Sequence, residues 1–245
     1  SKLYGWERLG KRIMKKTLDE IRQYINEGVY DPGIFKAFFL AGGPGSGKTF
    51  VTKSAFSGTG LKVVNSDSVF ERGLKKANLS FKMPDSEEYF RNIIRQRAKT
   101  TSGSQLDTYV EGRLGLVIDA TGRDKNVIQR QHAMLSNIGY DSYMIFVNTS
   151  LDVAIERNKG RPRSIPEYIV KNSWNTVQQN IGQFQRIFSP NKMLILDNNR
   201  SEKELVTSTI NQAAKFIRSK LTTKPQNGIA MSWIKKELEL KKRIW

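Results

Sequence analysis

The chain of 245 residues carries 41 lysines and arginines against 23 aspartates and glutamates, a net charge of +18, with no cysteine and a single histidine, His132. Disulfides, thiolate catalysis and thiolate metal sites are thereby excluded, and His-cluster zinc sites or a Ser-His triad are disfavoured. Hydrophobic residues at 38% and aromatics at 10% fit a folded chain, which at this length buries roughly 70–75% of the surface its unfolded form exposes.

Trp6, Leu9, Ile13, Leu18, Ile21 and Ile25 recur at near-helical spacing and predict a helix over 5–28, stopped at Gly28. Asp31-Pro32-Gly33 is a turn. The apolar run 35–41 reads as a buried strand, followed by the glycine-rich segment 42–47 and a helix starting near Gly47. A second strand is expected over 62–65. Helices follow over 85–99 and 105–113, separated by the polar loop Thr100-Thr101-Ser102-Gly103-Ser104. A third strand over 116–119 precedes a helix over 124–138. A fourth strand over 143–147 leads to a helix from about 151 to 158. A further helix runs from Pro166 to about 187, a fifth strand spans 192–196, and a helix covers 202–220. Residues 222–228 read as a linker to a short basic helix over 230–243. Continuous apolar strands alternating with helices predict an α/β fold, a mainly parallel five-stranded sheet covered on both faces. The expected organisation is an N-terminal helical extension over 1–33, a core domain over 34–221 and a basic tail over 222–245.

Gly42-Gly43-Pro44-Gly45-Ser46-Gly47-Lys48-Thr49 matches G-x-x-x-x-G-K-[ST] between a predicted strand and a predicted helix. Glycines let backbone N–H groups turn inward around phosphates, and the helix that follows adds unpaired donors and a positive dipole end. Lys48 is expected to reach the β- and γ-phosphates and Thr49 to ligate Mg²⁺. The motif points to a nucleoside triphosphate. The guanine-reading N-K-x-D pattern is absent, which tilts the expectation to ATP.

Ligands of open α/β sheets sit beyond the carboxyl ends of the strands. Asp67, in Asn65-Ser66-Asp67-Ser68, is a candidate general base for an attacking hydroxyl or else the N-cap of a helix beginning near Val69. Asp119 closes the third strand and is either a Mg²⁺ carboxylate or a residue orienting the next turn. Thr121 and Arg123 follow at once. Arg123 either holds a substrate phosphate or caps nearby backbone. The stretch from Glu156 to Pro166 packs Arg157, Lys159, Arg161 and Arg163 into seven positions. Such a segment closes over a triphosphate, where guanidinium groups stabilise charge on the equatorial oxygens, or stays a solvated loop. Arg157 and Arg163 are the first candidates and Arg161 the third.

Together these segments resemble P-loop kinases of the zeta-toxin and polynucleotide-kinase type. The run from Leu116 to Arg123, with the helix and Gly139-Tyr140 after it, is similar to the zeta-toxin core, although zeta toxins usually carry Glu where this chain has Asp119. Asn65-Ser66-Asp67 and the segments from Arg157-Asn158 to Ile165-Pro166 look equally like polynucleotide kinases. The likeness covers roughly residues 35–200. It implies a P-loop NTPase-type three-layer sandwich with a kinase-like lid, ATP and Mg²⁺ as cofactors, Asp67 as base on the acceptor hydroxyl and lid arginines on ATP phosphates.

The leading expectation is a kinase moving the ATP γ-phosphate to a hydroxyl of a nucleic-acid acceptor, a 5′ end or a modified base. The charge of +18 favours a polyanion, and residues 215–245 alone hold nine cations against Glu237 and Glu239. Tyr89 and Trp174 are either stacking aromatics or core. The alternatives are a sugar-nucleotide acceptor, as in zeta toxins, and an ATP-binding assembly module with weak ATPase activity. The tail, with Met231, Ile234 and Leu238 on one face, either packs on the domain or docks a protein partner or anionic surface. No run reaches the ~20 apolar residues that cross a bilayer, and Ser1-Lys2-Leu3-Tyr4 leads into a charged segment, so the cytoplasm is the expected compartment.

Overall fold

The computed structural model describes residues 28–161, 164–199 and 203–243. The helix expected over 5–28 and the candidate Arg163 lie outside them. Strands β1 (Lys36–Ala41), β2 (Lys62–Val64), β3 (Leu116–Asp119), β4 (Asp141–Asn148) and β5 (Met193–Asp197) form one sheet in the order β2-β3-β1-β4-β5. Every pairing is parallel. Helices α1 (Lys48–Ala55), α2 (Ser66–Lys76), α3 (Glu88–Glu111), α4 (Lys125–Asn137), α5 (Leu151–Lys159), α6 (Glu167–Phe188), α7 (Lys203–Leu221) and α8 (Gly228–Arg243) connect and follow them. The α/β, mainly parallel five-stranded expectation holds.

The central strand β1 explains the layering. All six of its residues are buried, and alternate side chains point to opposite faces. Ala37, Phe39 and Ala41 join Ile128 and Leu135 of α4 and Val177, Phe184 and Phe188 of α6. Phe38 and Leu40 join Val51 and Ala55 of α1 and Ala213 and Ile217 of α7. A third cluster, Phe70, Leu74 and Ala98, holds α2 against α3 as a helical pair beside the sheet.

Several expectations needed correction. Residues 88–111 form one helix, not two with a loop at 100–104. Two hydroxyls of that stretch bond to their own helix, Thr100 Oγ1 to Gln96 O and Ser102 Oγ to Lys99 O, as Thr108 Oγ1 does to Ser104 O further on, so they need no loop to satisfy them. Strand β4 is longer than 143–147, because its first residue, Asp141, pairs in register with Lys36. Helix α2 starts at Ser66, and its N-cap is Asn65, whose side chain accepts from Ser68 N. Asp67 therefore sits in the first turn and is not the cap. Tyr89 is 72% exposed and is not core, whereas Trp174 is half-buried and donates its indole N–H to Thr149 O at 2.7 Å.

The segment before α8 is tied to the amino edge of the sheet. Gln226 N donates to Asp141 Oδ2 at 2.8 Å, and Asn227 Nδ2 to Ser136 O. Ala230 of α8 is fully buried, and Trp233 meets Phe35 edge-on with the Arg113 guanidinium over its ring. The helix thus packs at the end of β1 opposite the glycine-rich loop. No helix among the described residues is long and apolar enough to cross a membrane.

Candidate functional site

The carboxyl ends of β1, β3 and β2 open into a cavity of about 1310 Å³. Gly43, Pro44, Gly45, Ser46, Gly47, Lys48 and Thr49 line it, together with Asp67, Asp119, Thr121, Arg123, Arg157 and Arg161. Gly42 lies beneath, where its carbonyl accepts from Lys48 Nζ at 2.6 Å, so the ammonium sits inside the turn of the loop.

Glycine is required in this loop for two local reasons. Gly45 has φ +78°, and a Cβ there would strike the carbonyl of Ala154 in α5. Gly47 has φ +90°, and a Cβ there would strike the side-chain amide of Asn198. Both positions combine a left-handed backbone with a close neighbour, which only glycine tolerates. Ser46 Oγ and Ser173 Oγ are buried with no hydrogen-bond partner among the described residues, and both residues line the cavity. Unpartnered buried polar atoms are uncommon and costly, and these are available to a ligand.

The acidic wall is held by asparagines. Asn65 Nδ2 donates to Asp119 Oδ2 at 2.6 Å while its Oδ1 caps α2, fixing Asp119 beside the turn that presents Asp67. Burial pushes the Asp119 carboxyl above the usual range, Asp67 adds to this, and Lys48 partly offsets it. Burial likewise holds the Lys48 ammonium below the usual lysine value, against the pull of Asp119 and Asp67 and with the help of Arg161. Four charged groups from four parts of the chain therefore share one field.

Asn180 of α6 donates to both Gly122 O and Arg123 O at 2.9 and 3.0 Å, pinning the turn that carries Thr121 and Arg123. The Arg123 side chain projects from it into solvent at the cavity. The basic segment is anchored at its base, where Asn158 Nδ2 donates to Ile165 O at 2.7 Å and Asn158 Oδ1 accepts from Ile165 N. Arg157 donates to Asn198 O at 2.8 Å, and Asn198 Nδ2 donates to Ser46 O at 2.7 Å. Asn198 thus couples the arginine of α5 to the phosphate loop. Lys159 turns away toward Glu167 at 3.7 Å.

Sequence reading missed Asn65, Asn158, Asn180 and Asn198 as positioning residues. Asn65 and Asn198 carried a usable signal, since each directly follows a strand, the second and the fifth, at the ligand-bearing edge.

No curated protein matches the chain. Among solved structures, a provisionally assigned kinase from Chloroflexus aurantiacus shares 15% identity at a TM-score of 0.53, covering 76% of this chain and 98% of that one. A chain of the PezAT chromosomal toxin–antitoxin system of Streptococcus pneumoniae shares 16% at 0.50, covering 84% and 95%. A gluconokinase from Sinorhizobium meliloti shares 14% at 0.48, covering 76% and 95%, a weaker superposition. The likeness is one of fold, a P-loop kinase-like sheet with helices on both faces. A family model described as an AAA domain matches residues 38–184, a span that includes the phosphate loop, Asp67, Asp119, the Thr121–Arg123 turn and the arginines of 157–163, and the chain belongs to that family.

Proposed function

We propose that the protein is an ATP-dependent phosphotransferase acting on an acceptor hydroxyl. The observation that carries this reading is the convergence of Lys48, Asp67, Asp119, Arg157 and Arg161 on the cavity above the phosphate loop. A nucleotide fits the residues present. The loop is shaped by glycines where a Cβ would collide, and Ser46 Oγ is a buried group awaiting a partner.

Thr49 and Asp119 would hold Mg²⁺. Among the described residues no cluster of three or more His, Cys, Asp or Glu side chains is placed to hold a metal, which suits an ion bound through one or two protein oxygens, phosphates and water. When bound, Mg²⁺ neutralises charge on the β- and γ-phosphate oxygens.

Lys48 cancels negative charge on the phosphates. Asp67 accepts the proton of the acceptor hydroxyl as its oxygen bonds to the γ-phosphorus. The bond from that phosphorus to the β–γ bridging oxygen breaks, and the electron pair leaves with ADP. Arg157 and Arg161, with Arg163 as a third donor, stabilise the charge spread over the equatorial oxygens. Thr121 and Arg123 orient the acceptor.

The acceptor we favour is a nucleic acid, on the strength of the charge of +18. A sugar nucleotide is the second reading, favoured by the position of α8. Its cations lie at the amino edge of the sheet, so the cleft operates without them. The test is Asp67→Asn. Transfer of labelled phosphate from ATP is expected to fall at least a hundredfold while ATP binding persists. Unchanged transfer would overturn Asp67 as base. ATP binding without transfer by the unaltered protein to any polynucleotide or sugar nucleotide would favour an assembly module.

A further inference from the structure

A second cavity, about 630 Å³, lies between α2, α3 and the edge strand β2. Asn65, Ser68 and Glu71 line both it and the main cleft. Lys99 and Ser102 of α3 face the cleft and Tyr109 faces the second cavity, a spacing that keeps all three near one side of the helix. From Lys99 to Tyr109 this face spans about 15 Å at 1.5 Å per residue. The two cavities are therefore neighbours along one pair of helices, with the Asn65–Asp67 turn at their junction.

The chemistry of the second cavity is mixed. Val63, 43% exposed on the sheet edge, contributes an apolar floor, with the rings of Phe81 and Tyr109 at the sides. Arg72 and Lys75 stand on its rim, one helical turn apart, exposed and without an ion-pair partner among the described residues. An apolar slot with aromatic walls and a cationic rim suits a base with its phosphate.

We infer that this groove is an extension of the acceptor site and holds a nucleotide unit of a single-stranded oligonucleotide whose terminal hydroxyl lies at Asp67. The inference rests on the phosphotransfer reading and names the acceptor for it. A mononucleotide or sugar nucleotide would occupy the main cleft alone, so acceptor length becomes an observable.

The experiment measures phosphate transfer from ATP to mono-, di-, tetra- and octanucleotides with a free 5′ hydroxyl, and to a sugar nucleotide. KM is expected to fall on lengthening from one to a few nucleotides and then level. Lys75→Glu and Arg72→Ala, both at exposed positions, are expected to raise KM for the tetranucleotide about tenfold, the scale of one charge-assisted contact, and to leave the mononucleotide within twofold. Lys236→Glu on α8 is expected to change neither, which separates this groove from general loss of positive charge. Transfer that ignores length, or groove variants that affect every acceptor equally, would overturn the inference and leave phosphotransfer standing. Transfer to the sugar nucleotide alone would also overturn it. Absence of transfer to every acceptor would overturn both readings.

Discussion

The two ends of β1 each carry a lysine near an aspartate, and the pairs are built differently. At the amino end, Lys36 is fully buried and donates to Asp141 Oδ2 at 3.0 Å and to the Tyr143 hydroxyl at 3.3 Å. Asp141 also accepts from Gln226 N, so the pair is closed and fastens the segment leading into α8. At the carboxyl end, Lys48 bonds to a backbone carbonyl and Asp119 to an asparagine amide. The two charges sense each other without a direct contact. Burial depresses both lysines, but only Lys36 has a carboxylate in hydrogen-bond contact to compensate. A closed pair serves the fold. Charges brought near and kept apart by neutral amides retain the capacity to act on a ligand.

The comparison breaks most sharply on Lys48→Ala. Transfer should fall by at least about 10²–10³, the scale of a lost electrostatic donor, while the melting temperature holds, as single-turnover kinetics and thermal unfolding will check. Lys36→Met should do the reverse. Leaving Asp141 buried without its cation costs about 3–5 kcal/mol, read as a lower urea midpoint, with turnover per folded molecule unchanged. The double variant Lys36→Met with Asp141→Leu should recover much of that loss, because the orphaned charge is gone.

Asn198→Ala sits between the two behaviours. It removes the amide that links the phosphate loop to the residue anchoring Arg157, and about 1–3 kcal/mol of stability is expected to go with it. KM for ATP should rise about tenfold, measured alongside the unfolding curve. A change in stability alone would make Asn198 a purely structural residue.

The smallest effect is a pH dependence. Burial raises the Asp119 carboxyl in the folded state above its ordinary 3.8, so between those values the folded protein binds a proton that the unfolded chain has released. Stability present below that window declines as pH rises through it. Asp119→Asn should flatten the decline, checked by urea unfolding at a series of pH values. A steeper decline would contradict a desolvated carboxylate.

Much of this was legible in the chain itself. The phosphate loop could be read because its motif is contiguous and flanked by an apolar run and a helix start. The strands could be read because a sheet buried on both faces needs unbroken apolar stretches, as in Phe38-Phe39-Leu40. The continuity of α3 was hidden, since Thr100 to Ser104 look like a loop until the Thr100 and Ser102 hydroxyls are seen returning to their own helix.

Local rules along the chain dictate strand, glycine turn, helix, and charges at strand ends. The tertiary structure alone decided which amides reach those charges. Asn198 and Ser46 are 152 positions apart, and Asn65 and Asp119 are 54 apart, so no periodicity connects them. It also decided that α8 lies at the far end of β1 from the cleft, because burial of Ala230 and Trp233 against Phe35 and Tyr140 fixes that helix. Hydrophobic packing is non-directional along the chain, and only the folded core converts an amphipathic helix into a place.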